Sequence, residues 1–423
     1  MAMCGSGHSC GASAVRHSLR ILFLSLVVAC SWAETPLTLD KVLALADDNH
    51  PRLRAGSAQI DSAKAGVVGA LAYPNPEFGA RIGGQDYRVP GNVRGLVSSL
   101  VFSQPLELGP LRPAREQLAR QGQQSSELAL AAVRLAVLAE VRRAFFQALR
   151  KRSEISILSE NVRLVEDFRR RLQVRVDVGE AGRLELYRAD AELAVARTAA
   201  SSARLQYVAS LAGLRAAVGA PLEADLVLEG TLDTNANLPP ADEVREVMLQ
   251  RHPMLAWAQA EIRVSEARVR YETALRRPQP SLIAEMDRPP DTPTYRVGMS
   301  IPLSLWNKRE GPIAAAAADL RRAQALAENG KLELLARLAG AYERYQLAGE
   351  QLRALEQGLI REAEAGLQAA ETAYRLGERG ILEVLDAQRV LRTVRLDLLN
   401  TQFDRQAALV EVDELRALEL RRK

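Results

Sequence analysis

Two carboxylates near one end of the chain stand three residues apart, Glu383 and Asp386 in "GILEVLDAQ". That spacing puts both on one face of a helix. Gly380 breaks the helical pattern just before them, so they fall in the first turn of a new helix, where the dipole favours negative charge. Read alone, they are either ordinary solvated first-turn acids or part of a shared acidic site. Two histidines, His50 and His252, each precede a proline at matching places, "NHPRL" and "RHPML". That position assigns them to helix starts rather than to metal ligation. The sequence offers no Ser/His/Asp set with workable spacing, no phosphate-binding glycine loop and no metal cluster, so neither an enzyme nor a cofactor is expected.

The cysteines are Cys4, Cys10 and Cys30. All lie in or at the end of a leader, in which Arg16, His17 and Arg20 precede the apolar run "ILFLSLVVA" over 21–29. That run is too short to span a bilayer, which takes about 20 residues, and it fits a secretory signal. Two exits are open: "SWA" (31–33) offers cleavage before Glu34, and "VVAC" (27–30) offers a lipidated Cys30. Either leaves no intrachain disulfide.

Aromatic residues make up 4% of the 423, and the formal charge is +4 with both signs interspersed. Such a mix, rich in Ala, Leu, Arg, Glu and Gln, indicates long helices and coiled coil rather than a compact globule or a nucleic-acid footprint. In "RRAFFQALRKR" (142–152), Phe145, Phe146 and Leu149 are expected in a coil core, with Arg and Lys outside.

The elements that position the acids occur twice. "NHPRL" matches "RHPML", "FSQPLEL" (102–108) matches "MSIPLSL" (299–305), and "VGEAGRLEL" (178–186) matches "LGERGILEV" (376–384), at offsets of 202, 197 and 198 residues. One unit of about 200 residues is therefore written twice. Each opens with a helix, 39–72 and 241–276, ended by prolines in "YPNPEF" and "RRPQPSL". Period-two stretches follow. Leu282, Ala284 and Met286 oppose Ser281, Ile283, Glu285 and Asp287; Tyr295, Val297, Met299 and Ile301 oppose Thr294, Arg296, Gly298 and Ser300. These are strands with one apolar and one polar face. The first unit offers 77–83 and 95–104 less cleanly. Long helices over 113–177 and 312–375 come next, about 100 Å each at 1.5 Å per residue. The glycine phrases break them, and shorter helices follow over 183–218 and 382–420. Gly179, Gly182, Gly377 and Gly380 are expected to supply the positive φ angles of two hairpin turns.

Four strands cannot close a barrel, and an open edge cannot face lipid. Two chains would supply eight strands and three would supply twelve; membrane barrels begin at eight. The physical expectation is an oligomeric barrel above long helices, and its rival is a soluble β-sandwich capping a coiled coil.

The segments "LTLDKVLALADDNHPRLRAG" (37–56), "YPNPEF", the two strand–proline markers and above all "AYRLGERGILEVLDAQRVL" (373–391) resemble the TolC-type outer membrane efflux protein family. "YPNPEF" and the short mature N-terminus are similar to its CzcC-like heavy-metal cation efflux branch. The resemblance implies a mainly α fold with a small β part: a homotrimer whose twelve-stranded outer-membrane β-barrel continues into a periplasmic α-barrel. Partners implied are a periplasmic adaptor, an inner-membrane RND-type pump and outer-membrane lipid. On this reading the chain divides into a signal peptide (1–33), a first-repeat helix (34–72), a first β-hairpin (73–110), a first helical hairpin (111–220), an equatorial linker (221–240), a second-repeat helix (241–277), a second β-hairpin (278–306) and a second helical hairpin with the C-terminal helix (307–423).

By the same resemblance, Glu383 and Asp386 ring the periplasmic aperture. Tyr374 and Arg379 are the residues that latch neighbouring coils, and Glu185 is an acid that partners the Arg. The glycine turns at the hairpin tips dock the adaptor. Three copies of the acid pair would put six carboxylates around one axis, favouring cations and raising the pKa of some of them. The implied function is an exit duct that passively conducts exported cargo, with heavy-metal cations first. Multidrug or small-molecule efflux and type I secretion are the alternatives. A periplasmic adaptor fits less well, because it needs β-rich domains after its helices and this chain ends in "ELRALELRRK".

Overall fold

The computed structural model describes residues 37–85, 93–221, 227–232 and 238–418. The leader and Cys30 lie outside the described residues. The chain runs α1 (Leu39–Asn49), α2 (Pro51–Leu71), β1 (Glu77–Gln85), β2 (Gly95–Pro105), α3 (Leu111–Asp177) and α4 (Arg183–Val218). It then repeats as α5 (Ala241–Arg251), α6 (Pro253–Ala274), β3 (Ser281–Arg288), β4 (Thr294–Ser300), α7 (Glu310–Ala354), α8 (Ile360–Arg375) and α9 (Ile381–Leu415).

Each repeat opens with two helices where the sequence predicts one. Pro51 pushes His50 out of the helical region, to φ −63° and ψ 126°. His50 Nδ1 then accepts the Arg52 N–H at 3.1 Å, capping α2. The second repeat does the same: Pro253 follows His252, whose Nδ1 accepts the Met254 N–H at 3.3 Å. An imidazole nitrogen here does the work of a Ser or Asp N-cap oxygen.

The 67 residues of α3 run unbroken for about 100 Å. Its counterpart is interrupted: a π-turn at Leu355–Leu359 separates α7 from α8. A single wide turn shifts the side-chain register of everything after it, and no periodicity over 312–375 announces it.

Helix α3 packs against α2 and α4 along one side and against α6 and α9 along the other. Helix α7 packs on α6 and α9, and α8 on α9. The pairs α2/α4 and α7/α8 thus flank the protomer. Both flanks expose large apolar residues, Val68, Val195, Leu205 and Val208 on one, Leu326, Leu332 and Leu347 on the other.

The main core joins α1, α3 and α4 around Val42, Phe145, Leu149 and Leu214. Burying each of the larger of these contributes about 1.5–3 kcal/mol. Phe145, Phe146 and Leu149 sit inside as expected. Arg142 does not point outward with its neighbours. It is buried and donates to Asp413 at 3.1 Å, because α9 brings an acid to that face.

The strands form one antiparallel sheet in the order β1-β2-β3-β4. The two hairpins meet through β2 and β3, so β1 and β4 are its edges. The register resolves the first hairpin. Phe78 pairs with Phe102 and Ala80 with Leu100; Leu100 pairs with Met286 and Phe102 with Ala284; Ala284 pairs with Val297 and Met286 with Tyr295. All of these share one face, on which Phe78, Leu100, Phe102, Tyr295 and Val297 are exposed and Met286 is half-buried. The opposite face carries Arg81, Ser99, Glu285, Asp287 and Arg296, with Arg296 paired to both acids.

Candidate functional site at the hairpin tips

Both long helices end in the same turn. The Gly179 N–H donates to Val176 O at 3.1 Å and the Glu180 N–H to Arg175 O at 2.8 Å. In the second tip the Gly377 N–H donates to Tyr374 O and the Glu378 N–H to Ala373 O. This double closure needs a left-handed residue at its corner. Gly179 and Gly377 supply it with φ of 81° and 77°. Gly182 and Gly380 do not share that role, contrary to the sequence expectation. Their φ values are −83° and −80°, because each is the extended N-cap that starts the next helix.

Below the main core a second apolar cluster holds the tips together, with Phe168, Leu172, Ala189, Tyr374, Ile381 and Leu385 at its centre. Tyr374 is its polar member. Its ring packs on Phe168 at 5.6 Å between centroids, and Arg175 lies over its face at 5.0 Å. Its hydroxyl donates to Glu185 Oε2 at 3.0 Å, which ties the second tip to the first. Burial, then the bond to the Glu185 carboxylate and its charge, push the phenol up to about 12.

Two turns further along α4, Glu192 is buried to 4% side-chain exposure. It accepts from Arg389 at 2.5 Å and from Arg392 at 3.4 Å, both on α9. Sequence reasoning passed over this cluster. Its one signal was spacing: Glu192 lies a heptad after Glu185, and Arg389 and Arg392 are three apart, so each set shares a helix face.

The other expected site residues are placed as follows. Glu383 and Asp386 are both exposed on α9, but only Glu383 lies in its first turn; Asp386 falls in the second, contrary to the sequence expectation, because the helix starts at Ile381. Glu383 Oε2 folds back beside Gly380. Arg379 is exposed at the turn and, among the described residues, has no ion pair or hydrogen bond within the protomer. Glu185 bonds Tyr374 rather than Arg379. The turns also expose a matched set of apolar residues, Val178 and Leu184 on one tip, Leu376 and Leu382 on the other.

Far above the tips, buried His252 packs near Glu414 and Arg337. Burial pushes its imidazole down to about 4, opposed by Glu414 and reinforced by Arg337. Among the described residues no group of His, Cys, Asp and Glu is arranged to hold a metal ion, and no helix is long and apolar enough to cross a membrane.

An apolar face on an open four-stranded sheet, set on paired coils of about 100 Å, is an arrangement shared with known proteins. The family model described as outer membrane efflux protein matches residues 42–220 and 244–417. The chain belongs to that family. As an outer membrane efflux protein it sets its sheet in the outer membrane and its helices in the periplasm. It is 27% identical over 394 residues to the cobalt-zinc-cadmium resistance protein CzcC of Cupriavidus metallidurans, covering 90% of each chain. It is 26% identical over 383 residues to the pyoverdine export outer membrane protein OpmQ of Pseudomonas aeruginosa, covering 84% of this chain and 79% of that one. Among solved structures, the outer-membrane channel OprN superposes with a TM-score of 0.78 at 20% identity, over 90% of this chain and 89% of that one. This outer membrane efflux protein therefore has the fold of a channel protomer, with Tyr374, Glu185, Glu383 and Asp386 at its periplasmic end.

Proposed function

We propose that three copies of this chain form one exit duct that passively conducts cations from a periplasmic adaptor and an inner-membrane RND-type pump to the outside. The observation that carries the reading is the sheet with two unpaired edges. β1 and β4 each present unmatched backbone groups, which lipid cannot satisfy. Pairing β4 of one copy with β1 of the next closes twelve strands. The flanking coils agree. Helix α2 leads into β1 and α7 follows β4, so the same head-to-tail step brings α7/α8 of one copy against α2/α4 of the next. Such a heterologous contact closes a ring.

Within that ring Glu383 and Asp386 form the acidic aperture. Tyr374 and Glu185 tie the two tips of each protomer, and Arg379 is left to reach a neighbouring copy. The exposed Val178, Leu184, Leu376 and Leu382 around the glycine turns offer the adaptor an apolar landing. The energy comes from the pump; the duct supplies a wet path and a gate. Heavy-metal cations are the first cargo, supported by the similarity to CzcC across nearly the full chain. Likeness to OpmQ, named for pyoverdine export, supports an organic cargo as the second reading.

Planar-bilayer recording tests the reading. The native protein is expected to conduct and to favour cations, and Glu383→Ala with Asp386→Ala is expected to lower that preference. Absence of any channel would sink the duct; an unchanged preference would remove the acidic aperture alone.

A further inference from the structure

The two repeats differ at one junction. Aligning "FSQPLELG" with "MSIPLSLW" sets Gly109, at φ 72°, against Trp306. In the first repeat the chain below the strand is knitted to its surroundings. The Leu106 N–H donates to Pro280 O at 2.8 Å, and the Leu108 N–H to Gln279 Oε1 at 3.1 Å. Arg115 binds Glu107, Ala70 O and Ala72 O. Among the described residues the second repeat shows no such bonds from Leu303 to Trp306, and its apolar side chains stand further out than those of the first, where Leu106 is half-buried and Leu108 is 55% exposed. Leu303, Leu305 and Trp306 are 69%, 61% and 93% exposed. The Leu305 N–H turns back onto Leu303 O at 3.0 Å.

This segment is fixed from below. Arg309 stands at φ 59°, its amide donates to Asn307 Oδ1 at 3.0 Å, and its guanidinium is held at 2.6 Å by buried Glu272. Trp306 is therefore presented by a braced turn. Its surroundings are also specific. The exposed apolar positions of β4, Tyr295, Val297 and Met299, continue with the same alternation through Ile301 and Leu303 to Leu305, past the end of the strand. The apolar band thus runs down off the barrel to Leu305, where the turn sets Trp306 next to its end, with exposed Lys308 two residues on.

We infer that Leu303, Leu305, Trp306 and Lys308 form an anchor in the periplasmic leaflet of the membrane, seated at the glycerophospholipid headgroup level. An indole has an apolar body for the acyl boundary and an N–H for the wet side. The Lys308 stem lies along the apolar band while its ammonium reaches a phosphate. Three copies per ring would set three such feet around the barrel and fix its depth. The first repeat also exposes Leu108, but with Gly109 at the matching place it carries no indole.

The inference rests on the barrel reading, and fluorescence separates the two. With Trp32→Phe and Trp257→Phe, Trp306 is the single tryptophan of the full chain. The protein is reconstituted in phosphatidylethanolamine/phosphatidylglycerol vesicles whose acyl chains carry bromines either near the headgroup or near the chain end. The expected result is blue-shifted emission, quenched about twofold or more by the shallow bromines and less by the deep ones. Emission typical of water, quenched by iodide and not by bromolipid, overturns the anchor. Blue-shifted emission quenched by neither also overturns it and assigns Trp306 to the contact with a neighbouring copy. A Val297→Trp control in a tryptophan-free chain, on the lipid face of β4, reports barrel insertion. Its failure to quench would indict the barrel instead. Should Trp257→Phe disturb α6, the difference in quenching between native protein and Trp306→Phe reads the same quantity.

Discussion

Tyr374 on the second hairpin donates its hydroxyl to Glu185 on the first, at 3.0 Å and across 189 residues of sequence. One proton thus spans the two tips of the protomer. A hydrogen bond to a charged acceptor contributes about 1.5–3 kcal/mol. Tyr374→Phe keeps the ring against Phe168 and removes only that bond, so closed-state conductance in planar bilayers is expected to rise and stability to fall by about 1.5–3 kcal/mol. Burial and Glu185 raise the phenol above its ordinary value of 10 to about 12. The contribution of the neutral phenol is then fully present below pH 10 and fades as pH rises through about 12. Conductance that grows between pH 7 and 9 would assign the latch to another group.

The buried Glu192 makes an asymmetric prediction. Removing the acid frees Arg389, which is half exposed, and Arg392, which can turn to water. Removing both arginines strands a carboxylate at 4% exposure. Glu192→Gln is therefore expected to cost about 1 kcal/mol, and Arg389→Ala with Arg392→Ala about 3 kcal/mol or more. Hydrogen exchange at the α4–α9 contact measures the difference. Equal effects, or a larger one for Glu192→Gln, would mean that the carboxylate is not buried in the assembled protein.

Acid should loosen the region around α5 and α6. His252 in an unfolded chain takes a proton near pH 6.5; folded, burial delays this to about 4. Its share of stability is complete above 6.5 and is lost as pH falls toward 4, by about 3 kcal/mol. His252→Asn keeps an N-cap acceptor without the titration. Denaturant unfolding between pH 4 and 6.5 is expected to be flatter for that variant; parallel profiles would remove His252 as the cause.

Much of this architecture was legible because glycine and proline mark it. The paired tip phrases fixed the helical hairpins, and period-two alternation fixed the second β-hairpin nearly to the residue. The first β-hairpin was blurred by Gly84 and Ser98 on its apolar face, and only pairing with Leu96 and Arg288 shows which side they take. The breaks at His50 and His252 were harder. Prolines favour the first turn of a helix, and the apolar period runs through both sides, so one helix and two read alike. The π-turn left no trace. At the site, Glu383 and the corner glycines Gly179 and Gly377 could be placed from local spacing, whereas Gly182 and Gly380 were set one role off and Asp386 one turn off. The partner of Glu185 could not: it depends on how two hairpins, far apart in sequence, rotate against each other in the second core.

The account depends on a protomer that supplies four strands of a barrel and leaves β1 and β4 to be matched by its own copies. Native mass spectrometry of the protein extracted from membranes in mild detergent counts those copies directly. The expected ion carries three chains and keeps them at dilution. A stable species of one chain, with both sheet edges open to solvent, would contradict it, and so would a closed pair.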